Sequence, residues 1–340
     1  MFKSPIILIL LALQLVYMPE ARAVYMTLSP SDSSVTLANQ FTLTPSVSVQ
    51  NGEHKELVYT HGYTLSELVW PVNNALLGNL ELEYQIFRSL GLKARFSHLI
   101  QSADGTVTDT DWDPEFSTTT PIIYSSGRSE LVNLTELDLE AKLTLFEIGS
   151  SKLKRLQFSQ NLDNLKVSLL YGVQNNGSSW RYWGGEQYYN PNGITLNSNY
   201  DDIDSMDPSV VAIRYSVQEQ TPYVGSQIEL RSGAILVSAS AKYSNEAHIE
   251  DMDEHRLRST IFYDSFHDGE KLQLELYVST PINDSTTFWI NGKQDKLFTT
   301  KGDTVMVDQF YYPFEVYTFE GGSGINHKKQ SIMAGFDYRF

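Results

Sequence analysis

The sequence predicts an all-β fold, a closed antiparallel barrel of ten strands crossing an outer membrane. Three observations predict it. Apolar and polar residues alternate with period two in long tracts. The chain opens on an export signal, yet no later segment approaches a transmembrane helix. It closes on alternating aromatic residues that end at Phe340, as in the last strand by which outer-membrane barrels are recognised for assembly.

The N-terminus carries the address. Lys3 supplies the positive end, Ile6 to Val16 is almost wholly apolar, and Ala21-Arg22-Ala23 is a small-x-small cleavage site. The apolar run is too short to span a bilayer, and no Cys follows the cleavage site as in a lipoprotein. We expect residues 1–23 to be a signal peptide and Val24 to Phe340 to form a single barrel domain. Lys3, Arg22 and Glu20 give the signal a charge of +1, so the mature chain carries −16 − 1 = −17. That balance argues against nucleic acid, whose phosphates need Lys and Arg, and favours cationic partners. The chain has no cysteine, which excludes disulfides and a thiol nucleophile.

The alternation is clearest at Leu137, Leu139, Ala141, Leu143 and Leu145, interleaved with Glu136, Asp138, Glu140, Lys142 and Thr144. Leu80, Leu82, Tyr84 and Ile86 repeat it, as do Leu272, Leu274, Leu276 and Val278. A soluble sandwich also alternates. Here some tracts run to roughly twice the usual soluble strand of five or six residues, and their polar faces carry both charge signs, as a narrow lumen would. Ten runs are expected, near Phe41–Val49, Ser66–Phe87, Leu92–Thr108, Leu131–Phe146, Leu156–Val173, Ser209–Gln218, Ser226–Tyr243, Arg256–Val278, Thr286–Asn291 and Gln330–Phe340. Short turns are expected at Arg88 to Gly91, Glu147 to Arg155, Thr221 to Gly225 and Pro281 to Ser285, with longer loops elsewhere. Short turns at one end and long loops at the other are the periplasmic and extracellular ends of such a barrel.

Parity then brings two acidic clusters to one rim. Asp109-Thr110-Asp111-Trp112 tops the third run, and Asp251-Met252-Asp253-Glu254-His255 tops the seventh, roughly opposite in a ten-strand ring. In an extended segment alternate side chains share a face. Asp109 and Asp111 therefore lie together, as do Asp251, Asp253 and His255, with Glu254 turned away. A carboxylate two residues from an imidazole orients it and stabilises its charged form, which makes a general base. Two adjacent carboxylates repel, so one takes a raised pKa or binds a cation or water. Set opposite each other, the clusters could hold a water that His255 deprotonates for attack on a carbonyl, with no covalent intermediate. The alternative reading is a solvated acidic loop. Other chemistries fit less well: GxSxG and HExxH are absent, and the calcium-loop spacing from Asp109 fails at Pro114 and Thr120. No metal is expected. His248 reads as a solvated rim residue, and His54, His61, His98, His267 and His327 receive no role.

The two clusters resemble the motifs of the omptins, outer-membrane aspartic-type proteases of Gram-negative bacteria. Asp109 to Trp112 is similar to the family's DxDW, and Asp251 to His255 to its DxDEH. Lys55-Glu56-Leu57-Val58-Tyr59 resembles a KERVY-like segment, and Ser66 to Trp70 followed by Asn73-Asn74-Ala75 resembles SQLDW…NNA. The likeness runs from about Lys55 to the C-terminus. It implies a barrel projecting beyond the outer membrane on the extracellular side, with endopeptidase activity at the outer rim. By that resemblance Asp109 and Asp111 form one catalytic couple and Asp253 with His255 the other. Glu56 and Asp251 match the acidic residues that receive a basic side chain before the cut. Cleavage between two basic residues of cationic peptides or proteins is implied, and an acidic mouth would speed their arrival.

No cofactor is expected, but the resemblance implies lipopolysaccharide as an activator, held by a YxExR segment. The corresponding Val173-Gln174-Asn175-Asn176-Gly177 keeps none of the three residues, and Ser216 to Gln220 lacks the expected Arg. Lipid dependence is thus either absent or carried elsewhere. The insertion around Tyr189 to Asp207 and a long fifth loop, about Thr300 to Lys329, are expected to alter specificity. Two rivals remain, a non-catalytic barrel serving as adhesin or receptor, and a small porin whose charged lumen is too filled to conduct freely.

Overall fold

The computed structural model describes residues 40–117, 119–155, 162–190, 202–310 and 312–339. The expected signal peptide and Phe340 lie outside the described residues, as do the start of the fifth run at Leu156 and much of the 189–207 insertion.

Thirteen strand segments form one sheet: β1 (Gln40–Thr60), β2 (Tyr63–Phe87), β3 (Leu90–Gln101), β4 (Ala103–Asp111), β5 (Ile123–Gly149), β6 (Asn164–Trp183), β7 (Glu186–Tyr189), β8 (Asp202–Ser205), β9 (Val211–Ser232), β10 (Ile235–His255), β11 (Thr260–Pro281), β12 (Thr286–Asp308) and β13 (Glu315–Arg339). A six-residue helix, α1 (Ser150–Arg155), follows β5. β3 and β4 are one strand interrupted at Ser102, since both pair with β2 on one side and β5 on the other. β7 and β8 are a hairpin added to the upper edge of β5. The remaining pairings close a ring of ten antiparallel strands, with β1 bonded to β13. Closure removes the free edges of the ten ring strands, which leaves none of their backbone unpaired in an apolar surround.

The barrel has two storeys with opposite patterning. Near the short turns the outward side chains are apolar: Val47 and Val49 on β1, Leu80 and Leu82 on β2, Val224 on β9, Leu274 and Leu276 on β11, Ile332 on β13. Their inward neighbours are polar, among them Thr44, Ser48, Glu140, Lys242 and Gln273. Farther along each strand the pattern inverts. Asn51, Glu53, Gln218, Gln220 and Glu250 face outward, while Leu68, Trp70, Val72, Tyr215, Val217, Ile249 and Phe266 form a buried core. An apolar exterior suits lipid and an apolar interior suits water outside. No described helix is long and apolar enough to cross a membrane.

The inversion explains where the expected runs stopped short. A single-phase alternation ends at Val49, but β1 continues to Thr60 and turns at His61-Gly62, both at positive φ as a two-residue hairpin requires. The turn expected at Thr221 to Gly225 is wrong. Those residues lie inside β9, at the crossing from polar-outward to apolar-outward, and the reversal comes at Gly233-Ala234. The expected long fifth loop is likewise mostly strand: β12 and β13 pair up to Asp308 and Glu315.

Aromatic rings close the lumen where the storeys meet. Trp70 on β2 stacks on Tyr215 on β9, with centroids 4.9 Å apart and planes 12° from parallel. Trp180 lies 5.8 Å from Tyr215, and its Nε1 donates to the Pro71 carbonyl at 3.0 Å. His54 packs against Trp180, Tyr215 and His327. Strands from opposite sides of the ring meet here, so this layer is a floor, and the mouth above it is a cleft.

Candidate active site

Both acidic clusters stand at the mouth. Asp109 and Asp111 end β4. The register sets Asp109 opposite Leu68 and Asp111 opposite Ser66 on β2, and the Ser66 hydroxyl donates to Asp109 Oδ1 at 2.9 Å. Burial, then the neighbouring Asp111, raises the Asp109 carboxyl to about 7. Burial also raises Asp111, against the pull of the Ser66 hydroxyl, Arg258 and His255.

Asp251, Asp253 and His255 close β10 on its inward face, as the two-residue period dictates. His255 Nε2 is 2.6 Å from Asp253 Oδ2. The edge of Phe262 meets the imidazole at 5.3 Å between centroids and 73° between planes. Asp253 is only 1% exposed. Its charge and that of His255 both bear on Asp109, and His255 bears on Asp111 as well. Two segments distant in sequence therefore converge on one cleft.

Glu56 and Asp251 sit deeper, against the aromatic floor. Trp70 Nε1 donates to Glu56 Oε2 at 3.4 Å, and the Tyr215 hydroxyl donates to Asp251 Oδ2 at 2.9 Å. Burial pushes Glu56 well above the usual carboxylate range, and Asp253, Asp251 and Asp264 push it farther. Asp251 is raised in the same way, by burial and then by Asp264. Glu254 points away from the cleft, 3.7 Å from the guanidinium groups of both Arg214 and Arg256.

Three inward residues escaped the sequence reading. Asp264 on β11 lies directly opposite Asp251; counting outward from a turn at Arg256 to Ser259 would have found it. Tyr182 on β6 carries a buried hydroxyl without a partner, and burial and the nearby Asp109 push it up to about 12. His54 had no signal, because its neighbours in sequence say nothing of the rings that surround it. His248 is half-exposed as expected, but it stacks on His267 at 4.6 Å, with Glu250 at 3.3 Å. Among the described residues no group of His, Cys, Asp or Glu forms a metal cage.

The pattern of the Omptin family matches residues 37–340. The chain is 25% identical over 310 residues to the plasminogen activator of Yersinia pestis, covering 89% of this chain and 90% of that one. It is 24% identical to protease 7 of Escherichia coli K12 over 87% of this chain and 89% of that one. It is 22% identical to the outer membrane protease IcsP of Shigella flexneri, over 84% and 87%. Its fold superposes on the crystal structure of the outer membrane protease OmpT from Escherichia coli with a TM-score of 0.79, at 21% identity, over 90% of this chain and 98% of that one. The apolar lower storey is thus the part that spans a bacterial outer membrane, and the chain belongs to the omptin family of outer-membrane proteases.

Proposed function

We propose that this barrel is an endopeptidase that cuts cationic peptides and proteins at basic, chiefly dibasic, sites on the outside of the cell, by water activated at His255. One observation carries the reading: an Asp253–His255 pair at 2.6 Å shares its cleft with the Asp109–Asp111 pair from a distant strand.

With one ring nitrogen engaged by Asp253, the other accepts a proton from a water lodged between the pairs. Asp253 stabilises the imidazolium that forms. The Asp109–Asp111 couple, buried and with both carboxyls raised by that burial, holds the water from the opposite side. The hydroxide adds to the peptide carbonyl, and the imidazolium returns its proton to the leaving amine as the C–N bond breaks. Glu56 and Asp251 receive the basic side chain before the cut, and the acidic rim draws cationic chains inward.

Outer-membrane preparations given a fluorogenic Arg-Arg or Lys-Arg peptide provide the test. His255→Ala and Asp109→Ala are expected to lose on the order of 10²–10⁴-fold in kcat. Equal cleavage by wild type and both variants would remove the assigned site.

A further inference from the structure

We propose that Asp264 joins Glu56 and Asp251 in a three-carboxylate pocket built for the guanidinium of arginine, in preference to the ammonium of lysine, on the N-terminal side of the cut. This inference rests on the peptidase reading above and deepens it.

The three carboxyl groups come from three strands: Glu56 from β1, Asp251 from β10 and Asp264 from β11. Asp251 and Asp264 are direct cross-strand partners, a placement in which side chains approach to about 4.5–5.5 Å between Cβ atoms. Two like charges so placed destabilise a sheet. Asp264 is 5% exposed, and its Oδ1 has no hydrogen-bond partner; Oδ1 of Asp251 is also buried and unpartnered. Buried carboxylate oxygens without donors are costly, so the pair is incomplete as it stands. The groups around it donate hydrogen bonds but bring no positive charge. Tyr215 serves the other oxygen of Asp251, the hydroxyls of Thr304 and Ser323 serve Asp264, the two carboxyls bond each other, and the third neighbour, Glu56, is another acid. No Lys or Arg is ion-paired with any of the three among the described residues. Burial and mutual repulsion raise all three carboxyls, Asp264 to about 6, and an incoming cation would offset both causes.

Shape then selects the cation. Guanidinium is planar and presents five N–H donors in a fork, so one group can face carboxylates on several sides. An ammonium has three donors converging on one nitrogen and is more strongly hydrated, so its desolvation here is less well repaid. The Trp70–Tyr215 stack beneath fixes the depth of the pocket.

The test uses the full-length enzyme in lipopolysaccharide-containing micelles. Peptides differ only in the residue before the cut: Arg, Lys or the neutral isostere citrulline. Wild type is expected to favour Arg over Lys by at least about tenfold in kcat/KM. Asp264→Asn should cost the Arg peptide on the order of 10–100-fold, mostly in KM, and the Lys and citrulline peptides far less, because a buried site loses most when a matched polar group goes unpaired. Asp264→Glu should keep the preference for Arg. Heat-dependent gel mobility checks that each barrel is formed. Should the Asn variant fail to form, Asp264→Ser, which can still bond Thr304, is read in its place. An Arg-to-Lys ratio and KM unchanged in a folded Asn or Ser variant would overturn the role of Asp264, while leaving the peptidase reading intact. Wild type that does not cleave after basic residues would overturn that reading instead.

Discussion

The two storeys of the barrel bury charge to a similar degree and treat it in opposite ways. In the lower lumen each cation meets acids. Lys242 Nζ lies 2.9 Å from Asp138 and 2.7 Å from Glu140, Lys93 lies 2.9 Å from Glu140, and Arg95 lies 3.0 Å from Glu81. At the mouth, Glu56, Asp251, Asp253 and Asp264 gather with one imidazole and, among the described residues, no Lys or Arg ion pair, and Asp109 and Asp111 lie side by side on β4. A paired interior fixes strand positions and fills the pore. An unpaired acidic one stores unfavourable energy that a cation relieves on binding. The mouth is therefore poorly built for stability, which is what the proposed binding of a cationic substrate there requires.

The comparison breaks most visibly at Lys242. Changing Lys242→Met leaves Asp138 and Glu140 without their shared cation, and Tyr223, over whose ring the ammonium sits at 4.6 Å, loses that contact too. Removing one partner of a buried ion pair costs about 3–5 kcal/mol. We expect a large drop in the temperature at which heat-dependent gel mobility changes, with kcat of the surviving folded enzyme unaltered. A stability within about 0.5 kcal/mol of wild type would mean that the lower pairs are not what holds this storey.

The reverse is expected at Asp251. Its folded pKa lies well above its ordinary value of 3.8, so the folded state holds a proton that the unfolded chain has released. By linkage, the stability this gives at low pH is lost as pH rises from about 4 through the raised folded value. Asp251→Asn removes that loss. It should stabilise the barrel by about 1 kcal/mol near neutral pH, and by less at pH 4, while weakening binding of basic substrates. A destabilised Asn variant at neutral pH would show that Tyr215 bonds a carboxylate the fold needs.

How much of this was legible in the sequence follows from the same division. Asp109, Asp111, Asp253 and His255 could be found because a period of two and a strand parity bring them to one rim without tertiary detail. The upper storey could not be traced by a single-phase alternation, because apolar residues such as Trp70 and Tyr215 change face relative to Leu80 and Val224 on the same strands. Pro222 and Gly225 then read as a turn, and Asp264 stayed hidden because its partner across the hairpin depends on where the next turn falls. His54 and His327 were invisible for a different reason: their surroundings come from strands adjacent only through closure of the ring.

Those two histidines give a smaller, opposite pH effect. Burial lowers both below the ordinary 6.5, in company with Lys329, and each also lowers or faces the other. A buried neutral imidazole must charge on unfolding in acid, so its contribution is lost as pH falls below 6.5. Stability against pH should therefore show an acid-side decline that His54→Gln softens, set against the alkaline-side decline that Asp251→Asn softens. If the His54 variant leaves the acid side unchanged, the aromatic floor is not where acid acts.

The smallest effect concerns lipid. Val173–Gly177 on β6 and Ser216–Gln220 on β9 are adjacent in register, as Asn175 opposite Gln220 shows, yet neither segment holds a Lys or Arg for a lipid phosphate. Outward cations at the top of the apolar band stand elsewhere. Lys296 on β12 and Lys328 on β13 are cross-strand partners, both exposed. Activity in plain detergent should thus stay within about tenfold of that with lipopolysaccharide, a gap of no more than about 1.4 kcal/mol. Neutralising Lys296 and Lys328 together should remove whatever gap is measured. A gap that survives their removal, or activity abolished without lipid, would mean that the polar β6–β9 segments engage lipopolysaccharide through their amides despite lacking charge.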